Sequence, residues 1–342
     1  MSKAVCIGAI NWDAALPKES YFGGFTCRNL GVEEFKNRLP FFAKKSENGF
    51  DIPPRSQKDY DLELQYAIDA GLDFFAYCWY PDNNEPRNFG KTDPIYDYLD
   101  PHFHELNVSR KMYQHSELRH KIKMCAIIFN EHAYSVQDME NLCLAMNESY
   151  YLKIDGRPLV MIFAGYDAEF INNVRAFAKQ RGLDPYIAFI TRGLANPDVD
   201  YTAADATTAY ASGHEAETFD ELTTKTDNDN KNRLNYKLKT IPIMSLGWNP
   251  QPRIKRPCPW VSYKDTMYCA QPNIDELRRA FFSLYDFIDK NSKVADTDLA
   301  LVFAWNEFEE GGYLCPTLGE DLKPNDRLIK DFASVKKEFE SR

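Results

Sequence analysis

No apolar stretch of about 18 residues occurs anywhere in the 342-residue chain, so no membrane-spanning helix is expected. The opening residues MSKAVCIGAINWD have neither the basic start nor the long apolar stretch of a secretory signal. The expected location is therefore the cytoplasm, or the periplasm or exterior if a leader was removed before Met1. Basic clusters are also missing: 41 Lys and Arg are scattered among 51 Asp and Glu, for a net charge of -10. That balance argues against a nucleic-acid partner and for a neutral substrate. The eight cysteines contain no CxxC pair, and no His/Cys group has zinc-ligand spacing. His102 and His104 share a segment, but nothing nearby completes a metal site. Because Cys6, Cys78 and Cys125 sit inside apolar runs, the cysteines read as reduced thiols. No GxxxxGK[ST] motif occurs, and the first turn, GAINWD, lacks a glycine-rich phosphate fingerprint. Neither a repeat, a low-complexity tract nor a Pro/Ser linker divides the chain, which predicts a single domain over residues 1–342.

What is present is an alternation. Short apolar runs at 4–10, 72–79, 122–129, 158–164, 186–191, 204–210, 241–248 and 299–305 read as strands. Longer polar, helix-periodic stretches separate them, including 56–71, 136–152, 168–182, 216–239, 274–291 and 327–340. In the first of these, Leu62, Tyr66 and Ile68 or Asp69 lie near one stripe, and Gly71 is a stop signal. Eight strand-helix units predict an α/β fold of the (β/α)8 TIM barrel type, with a doubly wound open sheet as the rival. The stretch from Asn11 to Arg55 is too polar and too punctuated by Gly and Pro for a plain helix. It predicts an irregular loop and short helix over the barrel mouth, which the 80–120 segment also covers.

In such a barrel the C-terminal strand ends face the active site, so these ends can be read as a site. They carry Trp12 and Asp13 after the first strand, Tyr77, Trp79 and Tyr80 at the second, and Asn130 and Glu131 at the third. Tyr210 ends the sixth, Trp248 the seventh with Arg253 close behind, and Trp305 and Asn306 the eighth. Sugars are met by this combination, because ring C–H faces stack on indole and phenol rings while Asn, Asp, Glu and Arg satisfy hydroxyls. The last strand then delivers Glu307 and Glu310, three residues apart, followed by Gly311 and Gly312. On a solvated helix such a pair is commonplace, but after a buried strand it reads as a loop at the barrel rim. There, mutual repulsion raises one carboxyl pKa and leaves an acid beside a base, the division of labour that glycoside cleavage needs.

These residues resemble a known group. AWNEFEEGGYL is similar to the NEW-x-EG element of glycoside hydrolase family 99 and its WbsX-type relatives. GWNPQPR at 247–253 resembles the GWD-x-xPR element of the WbsX-type branch, and DAGLDFFAYCWY at 69–80 its second-strand segment. GAINWD and YLKIDGRPLVMIF fall in the expected order. The resemblance implies retaining cleavage of an α-mannosidic bond. Glu307 would deprotonate the sugar 2-hydroxyl to form a 1,2-anhydro intermediate, Glu310 would act as acid and then base, and no cofactor or metal is implied. Glu309 stands where family 99 proper has His, and Cys315 where relatives often carry an acid, so the substrate is not carried across.

The expected function is a glycoside hydrolase cleaving an α-linked oligosaccharide or polysaccharide, of which mannan is one example. The alternatives are a glycosyltransferase in polysaccharide biosynthesis, weakened by the lack of a convincing DxD-like metal motif, and a catalytically silent carbohydrate-binding barrel.

Overall fold

The computed structural model describes residues 5–47, 49–82, 86–91, 100–295 and 298–341. Ala4 of the first predicted strand, and residues 83–85 and 92–99 of the 80–120 segment, lie outside the described residues. Each of the eight apolar runs contains a parallel strand. In chain order they are β1 (Cys6–Asn11), β2 (Phe74–Cys78), β3 (Lys123–Phe129), β4 (Arg157–Phe163), β5 (Tyr186–Ile190) and β6 (Ala206–Thr208). The seventh run contains β8 (Ile243–Ser245), the short strand β7 (Lys239–Thr240) lies just before that run, and β9 (Leu299–Phe303) follows.

The sheet runs β7-β6-β5-β4-β3-β2-β1-β9-β8 with parallel neighbours. Its two ends are pieces of one segment separated only by Ile241 and Pro242. Pro242 has no N–H to give to a ladder, which accounts for the break. Ile241 N still donates to Thr207 O at 2.9 Å on one side, and Leu301 N to Pro242 O at 2.9 Å on the other. The segment thus bridges both ends of the sheet and closes it into a (β/α)8 barrel. β2 is buried at every position, as a parallel strand covered on both faces must be.

The helical stretches pack outside this sheet. Helices α1 (Tyr21–Leu30), α2 (Gln57–Asp69), α3 (Val108–His115), α4 (Val136–Asn147), α5 (Ala168–Lys179), α6 (Phe219–Arg233), α7 (Gln251–Lys255), α8 (Ile274–Lys290) and α9 (Arg327–Glu340) follow in order. Ser56, Ser135 and Asn273 start α2, α4 and α8 with capping boxes, each side chain satisfying an otherwise orphaned backbone donor. The stripe expected on α2 is corrected. Leu62 is 46% exposed, whereas Tyr60, Glu63, Leu64 and Ala67 are buried. A search for apolar residues passes over Glu63, an acid that faces inward because it has buried partners.

The Asn11–Arg55 stretch holds α1 and a short hairpin pairing Lys44–Ser46 with Gly49–Asp51. All eight cysteines are unpaired thiols, seven of them buried. Among the described residues, no helix is long and apolar enough to cross a membrane, and no group of three or more His, Cys, Asp or Glu could hold a metal ion.

Candidate active site

The chain leaves β9 with Trp305 N donating to Ile10 O at 2.7 Å, then turns in a small hairpin that pairs Asn306 with Tyr313 and Glu307 with Gly312. The two glycines are needed for this turn. Gly311 has φ +81°, a left-handed conformation, and a Cβ there would stand 2.9 Å from Asn249 N. A Cβ on Gly312 would fall 2.4 Å from the Phe303 ring. The hairpin therefore lies directly against the exit of β8, where Asn249 N donates to Glu310 O at 2.6 Å.

This close approach brings three glutamates onto one guanidinium. Arg253, from α7, ion-pairs with Glu310 through Nη1, and its Nη2 lies 3.5 Å from Glu309 Oε2 and 3.7 Å from Glu307 Oε2. All four side chains are nearly inaccessible to solvent. Burial alone would lower the Arg253 pKa, but the three carboxylates hold it well above its usual value. Glu310 also accepts from the Tyr263 hydroxyl, so it has two charged or polar partners. Glu307 is served less well. The Tyr210 hydroxyl donates to its Oε1 at 2.7 Å, while Oε2 is buried without a hydrogen-bond partner. Burial, followed by the charge of Glu310, pushes the Glu307 pKa up to about 8.

Glu307 and Glu310 both line a cavity of about 370 Å³ at the C-terminal ends of the strands, within the usual range for small-ligand clefts. Of the residues expected at the strand ends, Trp12, Tyr80, Glu131, Tyr210, Trp248 and Arg253 line it as well. The Trp12 indole donates to Tyr80 Oη at 2.9 Å, and the Arg253 guanidinium lies 4.9 Å from the Trp12 ring centre. Trp248 donates to Asp265 at 2.9 Å and packs 3.8 Å from the His214 ring. Burial lowers the pKa of that histidine.

The remaining six expected residues lie outside the cavity lining. Tyr77 points into the helix layer, where its hydroxyl meets that of Tyr60. Trp79 is covered by the Arg110 guanidinium at 3.8 Å. Asp13 is ion-paired with buried Arg55, and Asn130 reaches the Gly165 carbonyl at 3.4 Å. Trp305 donates to Glu63 at 2.8 Å, and Asn306 accepts from Trp12 N at 2.9 Å. For Trp79 and Tyr80 the reason is the period of two in extended chain: neighbours at a strand end face opposite sides, so Tyr80 enters the cavity where Trp79 cannot. Asp13, Asn306 and Trp305 support the site from behind.

Several lining residues escaped the sequence reading. His132, Arg192 and His214 follow β3, β5 and β6 by two to six residues, and extending each strand end a little further would have found them. Arg192 pairs with Glu131 at 2.8 Å. Phe22, Phe103, Trp260 and Tyr263 come from loops and short helices with no comparable signal.

No protein-family model matches the chain. No curated protein matches it. Among solved structures it is similar to one described as a glycoside hydrolase-like protein, with a TM-score of 0.60 and 15% identity over 97% of this chain and 94% of the other. It is also similar to the GH99 endo-alpha-mannosidase from Bacteroides thetaiotaomicron, with a TM-score of 0.56 and 13% identity over 100% and 98% of the two chains. A second structure of that enzyme gives 0.50 and 12% over 98% of each. These likenesses are likenesses of fold, a GH99-like (β/α)8 barrel.

Proposed function

We propose that this protein is a glycoside hydrolase acting on an α-linked glycan, with Glu307 as its base and Glu310 as its acid and then base. The observation that carries this reading is the Glu307 carboxyl. It lines an aromatic cavity, one of its oxygens lacks a hydrogen-bond partner, and a second glutamate sits across a shared guanidinium. An unpartnered buried oxygen costs about 1–3 kcal/mol, which a sugar hydroxyl donating to it would recover.

In the proposed cycle Glu307 takes the proton of the sugar 2-hydroxyl as that oxygen attacks C1. The C1–O bond to the leaving group breaks, and the leaving oxygen takes a proton from Glu310. Water then opens the 1,2-anhydro ring at C1, giving its proton to Glu310 while Glu307 returns a proton to O2. Two displacements at C1 retain the configuration. Burial suits Glu307 to its part, since a carboxylate made more basic is a better acceptor from a weakly acidic hydroxyl. Burial and the neighbouring Glu310 charge raise the Glu307 pKa to about 8, so in the resting protein Glu307 holds the proton. The reactive form is the other arrangement of the same single proton on the same pair.

The test is a screen of α-linked oligosaccharides and polysaccharides by product chromatography, with the wild type beside Glu307→Gln and Glu310→Gln. Both variants should lose at least about 10³-fold in turnover while keeping the fold. On a substrate with an activated leaving group, which needs no acid, Glu310→Gln should recover and Glu307→Gln should not. Wild-type turnover in both variants would end this reading. Glycan binding without any product would replace it with a silent carbohydrate-binding barrel.

A further inference from the structure

The cavity has two unlike sides. Glu307, Glu310, Arg253 and Tyr263 supply one, from the hairpin after β9, from α7 and from the loop after it. The other is a continuous belt of rings. Trp260 lies 5.0 Å from Phe22, Phe22 is 6.3 Å from Phe103, Phe103 is 5.3 Å from Tyr80, and Tyr80 is 4.6 Å from Phe129. Phe22, Phe103 and Phe129 have no polar side-chain atom, and neither has Leu106 beside them in the lining. The Tyr80 hydroxyl is already engaged by the Trp12 indole. His132, 4.4 Å from the Phe103 ring and 5.3 Å from the Phe129 ring, is the polar side chain set into this belt. A hydroxyl placed against Phe22, Phe103, Leu106 or Phe129 themselves would lose its water and find no partner among those four, at about 1–3 kcal/mol.

From this wall we infer that the sugar residue bound beside Glu307 and Glu310 bears a methyl-terminated substituent, with its hydroxyls turned to the carboxylates and the methyl to the Phe22, Phe103, Leu106 and Phe129 wall. The inference rests on the glycosidase reading above and names its substrate class. Two chemistries supply such a methyl: the C6 of a 6-deoxyhexose, and an acetyl group on a sugar oxygen or nitrogen. The Trp260 indole N–H, buried without a hydrogen-bond partner, is a donor that an acetyl carbonyl could use and a C6 methyl could not.

Binding separates these cases without requiring turnover. Methyl α-glycosides are prepared in matched sets, in both the D and L series, as the hexose, its 6-deoxy form and its acetylated forms. Each is titrated into the full-length protein by calorimetry and examined by saturation-transfer difference NMR. The expected result is at least about tenfold tighter binding of a 6-deoxy or acetylated member than of its parent hexose, with the strongest saturation on the C6 or acetyl methyl rather than on the glycosidic methoxy. Preference for the 6-deoxy member identifies the first source, and preference for an acetylated member the second. Phe103→Ser should reduce the preference toward unity. Equal affinity across every matched set, or no binding by any member, overturns the inference, whereas failure of the glycosidase reading appears separately as turnover that survives Glu307→Gln and Glu310→Gln.

Discussion

A carboxyl group buried beside another carboxyl releases its proton late, and Glu307 is in that position. The expected profile of kcat/KM therefore has an alkaline limb: activity falls as pH rises above about 8, because the pair then loses the one proton the reaction needs. The same shift costs stability. Between the usual carboxyl range and about 8, Glu307 is ionised in the unfolded chain and protonated in the folded one. The folded state then binds more protons, and stability falls as pH rises through that window. Glu307→Gln removes the penalty. Denaturant titrations should show the variant gaining about 1–2 kcal/mol over wild type at pH 8 and little at pH 5. No gain at pH 8 would mean that Glu307 carries no such burden.

At the scale of elements, the site depends on how α1 is fastened to the loop after β9. Thr26 Oγ1 and Asn29 Nδ2, both buried on α1, donate to Glu309 at 3.0 and 2.6 Å. Glu309 does not line the cavity, but α1 carries Phe22, which does. Glu309→Ala would leave two buried donors unsatisfied, at about 1–3 kcal/mol, and would release the helix that presents Phe22. The expected outcome is a raised KM with a smaller change in kcat, read from steady-state kinetics on whichever glycan is cleaved. An unchanged KM would disconnect α1 from binding.

For the whole molecule, the decisive contact lies behind the site. Arg55 is almost wholly buried, bonds Asp13, Glu63 and Ser109, and faces the Phe42 ring at 5.1 Å. Glu63 in turn holds the Trp305 indole. This one guanidinium joins the exits of β1 and β9 to α2 and α3. Arg55→Met would strand two buried carboxylates, and the expected loss is about 3–5 kcal/mol by chemical denaturation. A variant as stable as wild type would show the network to be dispensable.

Much of the barrel was legible in the chain. Eight apolar runs gave eight strand positions, because a strand buried on both faces must be apolar throughout, and their parallel order follows from the helices between them. The rule that strand ends face the site brought Trp12, Tyr80 and Tyr210 to attention. It could not separate Tyr80 from Trp79 or Glu131 from Asn130, since facing depends on register, and register is set by partners far away in sequence. Glu63 and Arg55 were invisible for a related reason: a buried charge is tolerated only where its counter-charge is, and that is a property of neighbours in space.

Composition and periodicity by themselves determined the fold class and the neighbourhood of the glutamate pair, because hydrophobic burial acts on local pattern. Only the tertiary structure decided that Arg253 bridges three glutamates, that one Glu307 oxygen lacks a hydrogen-bond partner, and that rings from separate elements form one wall. These features depend on distances in space between groups well separated in sequence, and interactions of charge, hydrogen bonding and packing are governed by such distances rather than by position along the chain.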